Sequence, residues 1–254
     1  MRDRPSPTER NKDDEAIDPG SDGGARGHHL AAPMRVLLFG ATGMVGQGVL
    51  RECLVDDTVT EIVSVSRASL GTSSPKLHEI LLDDLFAIAR IADRLDGFDA
   101  CFFCLGVSSV GMSEVDYTRL TYQLTATIAE VLAPRNPAMT FIYVTGAGTG
   151  RDSRLMWARV KARTEDALAA LPFKAAYFFR PAFIQPLHGV RSKTGWYNAI
   201  YAATRPFASL LTRSFPAQAT TTERLGRAMI RVAADGYSKS VLDSIDINLI
   251  GQAG

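Results

Sequence analysis

Three glycines at a spacing of three residues mark the stretch whose chemistry is easiest to predict. Gly40, Gly43 and Gly46 lie in LLFGATGMVGQG, between an apolar strand and a helix. A glycine at the end of a strand permits a tight turn, and a bare backbone lets a pyrophosphate approach closely. The following helix directs free N–H groups and the positive end of its dipole at that anion, and Thr42 adds a hydroxyl donor. The stretch predicts a dinucleotide site, and a glycine-rich turn without a ligand is the alternative.

The end of the second predicted strand should select the dinucleotide. NAD(H) is usually held there by a carboxylate, about 20 residues past the glycines, that binds the ribose 2′-OH. Ser66 and Arg67 occupy this place in VSR, and the position holds no acid. A hydroxyl and a guanidinium suit a 2′-phosphate, although a solvated surface arginine is the alternative. We therefore expect NADP(H) to be preferred over NAD(H).

A tryptophan and a lysine lie one helical turn apart in LMWARVKARTEDAL, so both could face a bound nucleotide. Four-residue spacing puts Trp157 and Lys161 on one side of a helix. The same residues also fit a purely structural interpretation. Trp157 then anchors a core-facing stripe with Val160 and Leu168, and Lys161 pairs with Glu165 at i, i+4. The spacing alone leaves both interpretations open.

The cysteines and histidines predict no metal site. Cys101 and Cys104 form CFFC in an apolar run, and residues three apart on a strand point to opposite faces, so two buried thiols are expected. The four histidines are scattered or paired only near the N-terminus. Three cysteines and an N-terminus without a secretory signal predict a reducing, cytoplasmic location.

Composition restricts the classes of partner. The chain has 254 residues, of which 46% are apolar, and a formal net charge of +1. A chain of this length buries roughly three quarters of its unfolded surface. Its near-neutral charge offers no electrostatic basis for binding nucleic acid, and its apolar stretches are too short for membrane insertion. We expect a small-molecule substrate.

The elements that must position these residues alternate along the chain. The apolar strands MRVLLF, EIVSVS, KLHEILL, DACFFCL, MTFIYVT and KAAYFFR are separated mostly by helical stretches. This alternation predicts an α/β fold with a doubly wound parallel sheet. A nucleotide would then lie across the edge of the sheet, from the glycine turn towards Lys161.

The two ends of the chain depart from this pattern. Residues 1–33 are charged, rich in Pro and Gly, and almost free of large apolar residues, which predicts a disordered tail. Met34 is either the start of translation or the first residue after a natural extension. Residues 34–254 predict a single domain whose last part, from about 182 to 254, forms a small C-terminal substrate lobe. In this lobe a helix runs from a Thr222 cap to Gly236, and SVLDSIDINLI reads as an edge strand.

Taken together, these features resemble the short-chain dehydrogenase/reductase superfamily, in its atypical epimerase/dehydratase-like branch. The resemblance covers residues 34–254, and GATGMVG is its most specific match, which adds Met44 and Val45 to the cofactor turn. It implies a Rossmann fold and allows a homodimer. It also implies further cofactor contacts: Asp84 and Leu85 in DDLFAI near the adenine, Leu105 and Gly106 in CLG near the adenine ribose, and Arg180 and Pro181 in FFRPAF near the nicotinamide.

The resemblance fails at one catalytic position. The family carries Tyr-x-x-x-Lys, in which the tyrosine protonates the substrate carbonyl oxygen and the lysine binds the nicotinamide ribose. The matching residues are Trp157 and Lys161, while Thr145 in YVTGAG stands for the family's active-site serine. An indole N–H does not ionise near neutral pH, so losing the acid could cost about 10²–10⁴-fold in rate. Water, Thr145, Tyr117 or Tyr122 could supply the proton instead.

Two functions therefore stay open. The first is an NADP(H)-dependent oxidoreductase or epimerase-like enzyme acting on a carbonyl or alcohol, with a substrate wall from about residue 185 to 215. The second is an NADP(H)-binding sensor without turnover, which the missing tyrosine favours. A structural Rossmann protein with an empty site is disfavoured by the retained glycines and Lys161.

Overall fold

One parallel sheet organises the part of the chain that the structure describes. This computed structural model describes residues 32–187 and 219–252, so nearly all of the predicted tail and most of the predicted substrate wall lie outside the described residues. Its strands are β1 (Met34–Phe39), β2 (Val59–Ser66), β3 (Leu77–Leu81), β4 (Ala100–Phe103), β5 (Thr140–Val144), β6 (Ala175–Arg180), β7 (Phe183–Gln185), β8 (Ala219–Thr221) and β9 (Val241–Asp243). The sheet has the order β3-β2-β1-β4-β5-β6-β9 with every neighbouring pair parallel, and β7 and β8 form a separate parallel pair.

Helices cover both faces of this sheet. They are α1 (Met44–Val55), α2 (Glu114–Thr118), α3 (Leu124–Leu132), α4 (Met156–Ala169), α5 (Thr222–Asp235) and α6 (Ser244–Ile250), with a 3₁₀ segment at Leu85–Arg94 and a π-helical turn at Arg119–Gln123. Side chains of α1, α5 and α6 form the core on one face, and side chains of the 3₁₀ segment, α3 and α4 form the core on the other. The predicted doubly wound α/β architecture is confirmed.

The central strands are apolar throughout because both of their faces are buried. In β1, Val36 and Leu38 face the α1 side of the sheet, whereas Leu37 and Phe39 face the α3 side. All four residues of β4 are buried in the same way, as is typical of a parallel strand covered on both sides. Cys101 and Cys104 contact opposite layers and are free thiols, so CFFC does not bring two thiols together.

Local capping corrects two of the predicted elements. Of the predicted last strand, only Val241–Asp243 pair with β6, because a capping box starts α6 at Ser244. In that box the Asp243 carboxylate accepts from the N–H groups of Ile245 and Asp246. Helix α5 is capped by Thr221, not by Thr222, because the Thr221 hydroxyl accepts from the N–H group of Arg224.

Candidate nucleotide-binding and active site

The glycine turn connects β1 to α1 and leaves no space for a side chain at Gly40 or Gly46. Gly40 has φ +85°, and a Cβ there would lie 2.6–2.7 Å from backbone atoms of Cys104 and Leu105 at the end of β4. A Cβ on Gly46 would lie 2.1 Å from the Gly40 carbonyl oxygen, so the first turn of α1 packs directly on the turn. Gly43 is the N-cap of α1. No side chain in the described ranges caps this helix, which leaves its first N–H groups available to an anion.

A crevice opens beside this turn, at the edge of the sheet where the carboxyl ends of β1, β2, β3 and β4 meet. It consists of two adjoining cavities of about 380 and 300 Å³, which share Gly40, Thr42, Arg67, Leu85 and Leu105. We call it the edge crevice. The structure thus brings together most of the predicted cofactor-binding residues, since Gly43, Met44, Ser66, Asp84 and Gly106 also line it.

Val45 and Gly46 do not line either of these cavities. Val45 packs against the core on the α1 side of the sheet, and Gly46 is buried under the turn. Their contribution is to bring α1 close to β1, so that the first turn of the helix faces the crevice.

The two residues predicted to select the dinucleotide differ in what they offer. Arg67 is exposed, lines both cavities, and has no ion pair or hydrogen bond to any described residue. Ser66 is buried, and its hydroxyl donates to the Ala68 carbonyl oxygen at 2.6 Å. The Ser66 hydroxyl proton is therefore already hydrogen-bonded within the loop, whereas the guanidinium N–H groups of Arg67 have no partner among the described residues. Asp83 lines the larger cavity together with Arg67.

Several residues of the edge crevice were not predicted from the sequence. The larger cavity is also lined by Asp83, Phe86, Cys104, Val107, Leu120 and Leu124. Four of these are sequence neighbours of predicted residues, so proximity along the chain was a usable signal. Leu120 and Leu124 have no such neighbour among the predicted cofactor-binding residues. They reach the cavity because the π-helical turn and the start of α3 lie over the edge of the sheet, where Leu120 remains 39% exposed.

Asp84 has a local structural role in addition to its place in the crevice. Its carboxylate accepts a hydrogen bond from the N–H group of Phe86 at 3.0 Å and caps the 3₁₀ segment. An aspartate at this position therefore fixes the backbone of Leu85 and Phe86, both of which line the cavity. Contact with an adenine amino group stays a prediction.

The predicted catalytic residues lie farther along the same edge, at the ends of β5 and β6. The Lys161 ammonium on α4 donates to the Thr145 carbonyl oxygen at 2.6 Å. The Thr145 hydroxyl lies 2.8 Å from Glu165 Oε1 and 3.3 Å from the Phe179 carbonyl oxygen. Arg180 completes the group, because its Nε donates to Glu165 Oε1 at 3.0 Å and its Nη2 donates to Glu165 Oε2.

These contacts differ from the purely structural interpretation, in which Lys161 pairs with Glu165. The Glu165 carboxylate is 5% exposed and is shared by Arg180 and Thr145, while Lys161 bonds to a backbone carbonyl. Burial lowers the pKa of Lys161 to about 8, and the nearby Glu165 charge opposes this shift. The lysine thus sits close to its own titration point at physiological pH. Pro181 lies directly after this group, and its carbonyl oxygen accepts from the Ala147 N–H at 3.0 Å.

Trp157 lies beside the loop after β5 and is only half-buried. A Cβ on Gly148 would lie 3.5 Å from the indole ring, whereas Trp157 belongs to neither hydrophobic core cluster. The indole N–H has no hydrogen-bond partner within residues 32–187 and 219–252. The interpretation of Trp157 as a core anchor is therefore not supported, although Val160 and Leu168 on the same helix are buried.

The two tyrosines considered as replacement proton donors do not line the edge crevice. Tyr117 is 2% exposed, and burial raises the pKa of its hydroxyl. The ring of Tyr122 lies under the guanidinium of Arg163, at 4.0 Å from ring centroid to Arg163 Cζ.

The described ranges contain neither a metal-ligand cluster nor a membrane-spanning helix. There the structure groups no three histidine, cysteine or acidic side chains in a way that could hold a metal ion. Within the same ranges, no helix has the length and apolar character needed to cross a bilayer.

Comparison with known proteins supports the fold. No family model matches the chain. Among curated proteins, the chain is 24% identical over 228 residues to "Protein FMP52, mitochondrial" of Chaetomium globosum, a match that covers 85% of this chain and 96% of that protein. It is 25% identical over 221 residues to "Protein fmp52-2, mitochondrial" of Aspergillus terreus, over 85% of this chain and 95% of that protein.

Solved structures show the same architecture. A short chain dehydrogenase family protein from Francisella tularensis has a TM-score of 0.62 at 12% identity, covering 85% of this chain and 99% of that chain. The Bordetella bronchiseptica enzyme WbmF in complex with NAD⁺ has a TM-score of 0.61 at 13% identity, covering 86% and 77%. A short chain dehydrogenase from Burkholderia cenocepacia in complex with NADP has a TM-score of 0.59 at 14% identity, covering 84% and 88%. The chain therefore has the Rossmann fold that these dinucleotide-bound and short-chain dehydrogenase structures share.

The relatives also correct the expected location. The cytoplasmic prediction was wrong, because proteins that match over 85% of this chain are named mitochondrial. The prediction rested on three cysteines and an N-terminus without a secretory signal, which are compatible with any reducing compartment and cannot distinguish one from another.

Proposed function

We propose that this protein binds NADP(H) in the edge crevice and catalyses oxidation or reduction at a carbonyl or alcohol carbon of a small molecule. The observation that carries the proposal is the continuity of the edge. The glycine turn, Arg67 and the ends of β3 and β4 line adjoining cavities, and the ends of β5 and β6 continue the same edge to Lys161. Solved proteins of this fold include one in complex with NADP and another in complex with NAD⁺.

The residues at the adenosine end fit a phosphorylated nucleotide. The backbone at Gly40 and Gly46 excludes side chains, and the uncapped first turn of α1 offers N–H donors for a pyrophosphate. The unpaired guanidinium of Arg67 would bind a 2′-phosphate, which supports NADP(H) over NAD(H). Asp84, Leu85, Leu105 and Gly106 would surround the adenine and its ribose.

The residues at the nicotinamide end would bind the cofactor and orient its nicotinamide ring. Lys161 would hold the nicotinamide ribose, and the backbone at Pro181 would lie along one side of the ring. Bound NADP(H) would supply or accept the hydride. The Thr145 hydroxyl already donates to Glu165, and an indole does not ionise near neutral pH. We therefore propose that a water molecule beside Trp157 donates the proton that the substrate oxygen receives.

The test of binding is a titration with NADPH and with NADH, followed by protein fluorescence and by calorimetry. We expect saturable binding of NADPH at least about tenfold tighter than that of NADH, because a guanidinium–phosphate contact contributes about 1.5–3 kcal/mol. Absence of binding up to millimolar NADPH would overturn the proposal. Turnover is then measured as NADPH oxidation with a panel of aldehydes, ketones and quinones.

A sensor that binds NADP(H) without turnover is the second candidate, and Trp157 is the observation that favours it. The Trp157→Tyr variant separates the two. If only the acid is missing, the variant should oxidise NADPH up to about 10²–10⁴-fold faster than the natural protein. Trp157→Phe is the matched control and should show no gain. A flat response of Trp157→Tyr with NADPH still bound would favour the sensor.

The oligomeric state is part of the same proposal. We expect a homodimer, as the superfamily resemblance suggests. Analytical ultracentrifugation with and without NADPH would measure it, and a monomer at micromolar concentration would remove this element of the proposal.

A further inference from the structure

We propose that Glu165 is a positioning residue that holds the nicotinamide half of the site in place through Thr145 and Arg180. This inference rests on the proposed NADP(H) function. Neither the family motif nor the sequence spacing assigned a role to Glu165 beyond a surface pair with Lys161.

The Glu165 carboxylate joins three elements at one buried point. Its Oε1 atom accepts from Thr145 Oγ1 at 2.8 Å, at the end of β5, and from Arg180 Nε at 3.0 Å, at the end of β6. Its Oε2 atom accepts from Arg180 Nη2. Since Glu165 belongs to α4, the carboxylate ties this helix to the ends of both strands.

These bonds fix the atoms that the nicotinamide end would use. The Thr145 carbonyl oxygen accepts from the Lys161 ammonium at 2.6 Å. From the other side, the Pro181 carbonyl oxygen accepts from the N–H group of Ala147 at 3.0 Å. The loop after β5 is therefore anchored to Lys161 and to the residue that follows Arg180. A Cβ on Gly146 would lie 3.9 Å from both Lys161 Nζ and the Pro181 carbonyl oxygen, so Gly146 lies between these two groups.

A buried ion pair at this place calls for an explanation other than stability. Removing two charges from water is costly, and apolar side chains of similar size often stabilise a fold as well or better. The pair does provide a fixed arrangement, because Arg180 donates two nearly parallel bonds to the carboxylate, whose remaining capacity receives the Thr145 hydroxyl. Arg180 thereby acts through Glu165, since its Nε and Nη2 atoms both donate to the carboxylate.

The experiment compares two ligands that share the adenosine half of NADP(H). NADPH would extend from the edge crevice to Lys161, whereas 2′,5′-ADP carries only the adenosine and its phosphates. In Glu165→Gln, which keeps the shape of the side chain, we expect the affinity for NADPH to fall about 10–100-fold, as for loss of a charged hydrogen bond. The affinity for 2′,5′-ADP should stay within about twofold. A purely structural role would change both affinities or neither.

Asp166→Asn is the matched control on the same helix. Asp166 is an exposed carboxylate paired with Arg151 and lies outside the group around Lys161. Both ligands should bind this variant as they bind the natural protein. A selective loss of NADPH affinity in Asp166→Asn would overturn the assignment to Glu165.

A second pair of variants covers the case in which Glu165→Gln fails to fold with Arg180 unpaired. Thr145→Val removes the hydroxyl that joins Glu165 to β5 but leaves the ion pair intact, and Thr145→Ser restores the hydroxyl. We expect Thr145→Val to lose about 3–10-fold in NADPH affinity without a change for 2′,5′-ADP, and Thr145→Ser to recover it. Wild-type affinity for NADPH in both Thr145→Val and any folded Glu165→Gln would overturn the inference. Failure of the natural protein to bind either ligand would instead overturn the proposed function.

Discussion

The adenosine end and the nicotinamide end of the crevice edge are built in opposite ways. At the adenosine end Arg67 has no partner in the described ranges and no side chain there caps α1, while Ser66 and Asp84 bond only within their own loops. At the nicotinamide end three side chains are engaged: Lys161 with a carbonyl, and Arg180 and Thr145 with Glu165. A ligand at the first end supplies missing partners, whereas a ligand at the second end must add to or replace bonds that already exist. Substitutions at the adenosine end should therefore remove contacts with the ligand, whereas substitutions at the nicotinamide end should change how the ligand's affinity depends on the existing bonds.

The largest effect is expected at the glycine turn. Gly46→Ala would place a Cβ 2.1 Å from the Gly40 carbonyl oxygen, so α1 must move away from β1. We expect the free energy of unfolding to fall by about 3 kcal/mol and NADPH binding to fall more than about 100-fold. Thermal unfolding and fluorescence titration measure the two effects. Gly106→Ala is the control for stability, because its Cβ would meet no atom of the described residues within 4 Å, and its melting temperature should match that of the natural protein.

Substitution of Arg67 tests whether the adenosine end selects the dinucleotide. Arg67→Ala should weaken NADPH binding about 10–100-fold and leave NADH binding within about twofold, because only the former carries a 2′-phosphate. Arg90→Ala, at an exposed arginine of the 3₁₀ segment, should change neither affinity. Equal losses for both dinucleotides in Arg67→Ala would show that the guanidinium does not read the phosphate.

The pH dependence of NADPH binding tests the role of Lys161 at the nicotinamide end. Burial lowers the pKa of Lys161 to about 8, and hydroxyl and phosphate oxygens of a bound dinucleotide would favour the protonated ammonium and raise its pKa in the complex. Binding then takes up a proton above pH 8. Affinity for NADPH should be greatest below pH 8 and fall by up to about tenfold per unit as the pH rises above it.

Lys161→Met is the control for this pH effect. Calorimetry in buffers of different ionisation enthalpy would show proton uptake by the natural protein and none by the variant. An affinity that rises between pH 8 and pH 9 would contradict the assignment of Lys161.

The smallest effect is expected at Ser66, where the sequence and the structure lead to different expectations. Because the Ser66 hydroxyl donates to the Ala68 carbonyl oxygen at 2.6 Å, Ser66→Ala should cost about 1 kcal/mol of unfolding free energy. NADPH affinity should stay within about twofold. A tenfold loss of affinity without a loss of stability would mean that the hydroxyl leaves Ala68 to bind the phosphate.

Much of the adenosine end could be predicted because its determinants are local. A glycine conformation, the start of a helix and the alternation of strands with helices depend on residues close together in the chain. Parallel strands then bring their carboxyl ends to one edge, which placed Arg67 near the glycine turn without any knowledge of packing. Asp84 and Leu105 were placed there by the superfamily resemblance. The sequence analysis missed the capping box at Asp243, because the alternation of apolar and polar residues typical of a strand continues past Asp243 into α6.

By itself, the sequence determined the fold class, the glycine turn and the absence of a tyrosine one turn before Lys161. Only the tertiary structure decided which groups these residues contact. Glu165 pairs with Arg180 and not with Lys161, Ser66 donates within its own loop, and Leu120 lines a cavity. The physical reason is that helix spacing shows only neighbours on the same helix, whereas a buried carboxylate takes its partners from whichever strands the sheet brings beside it.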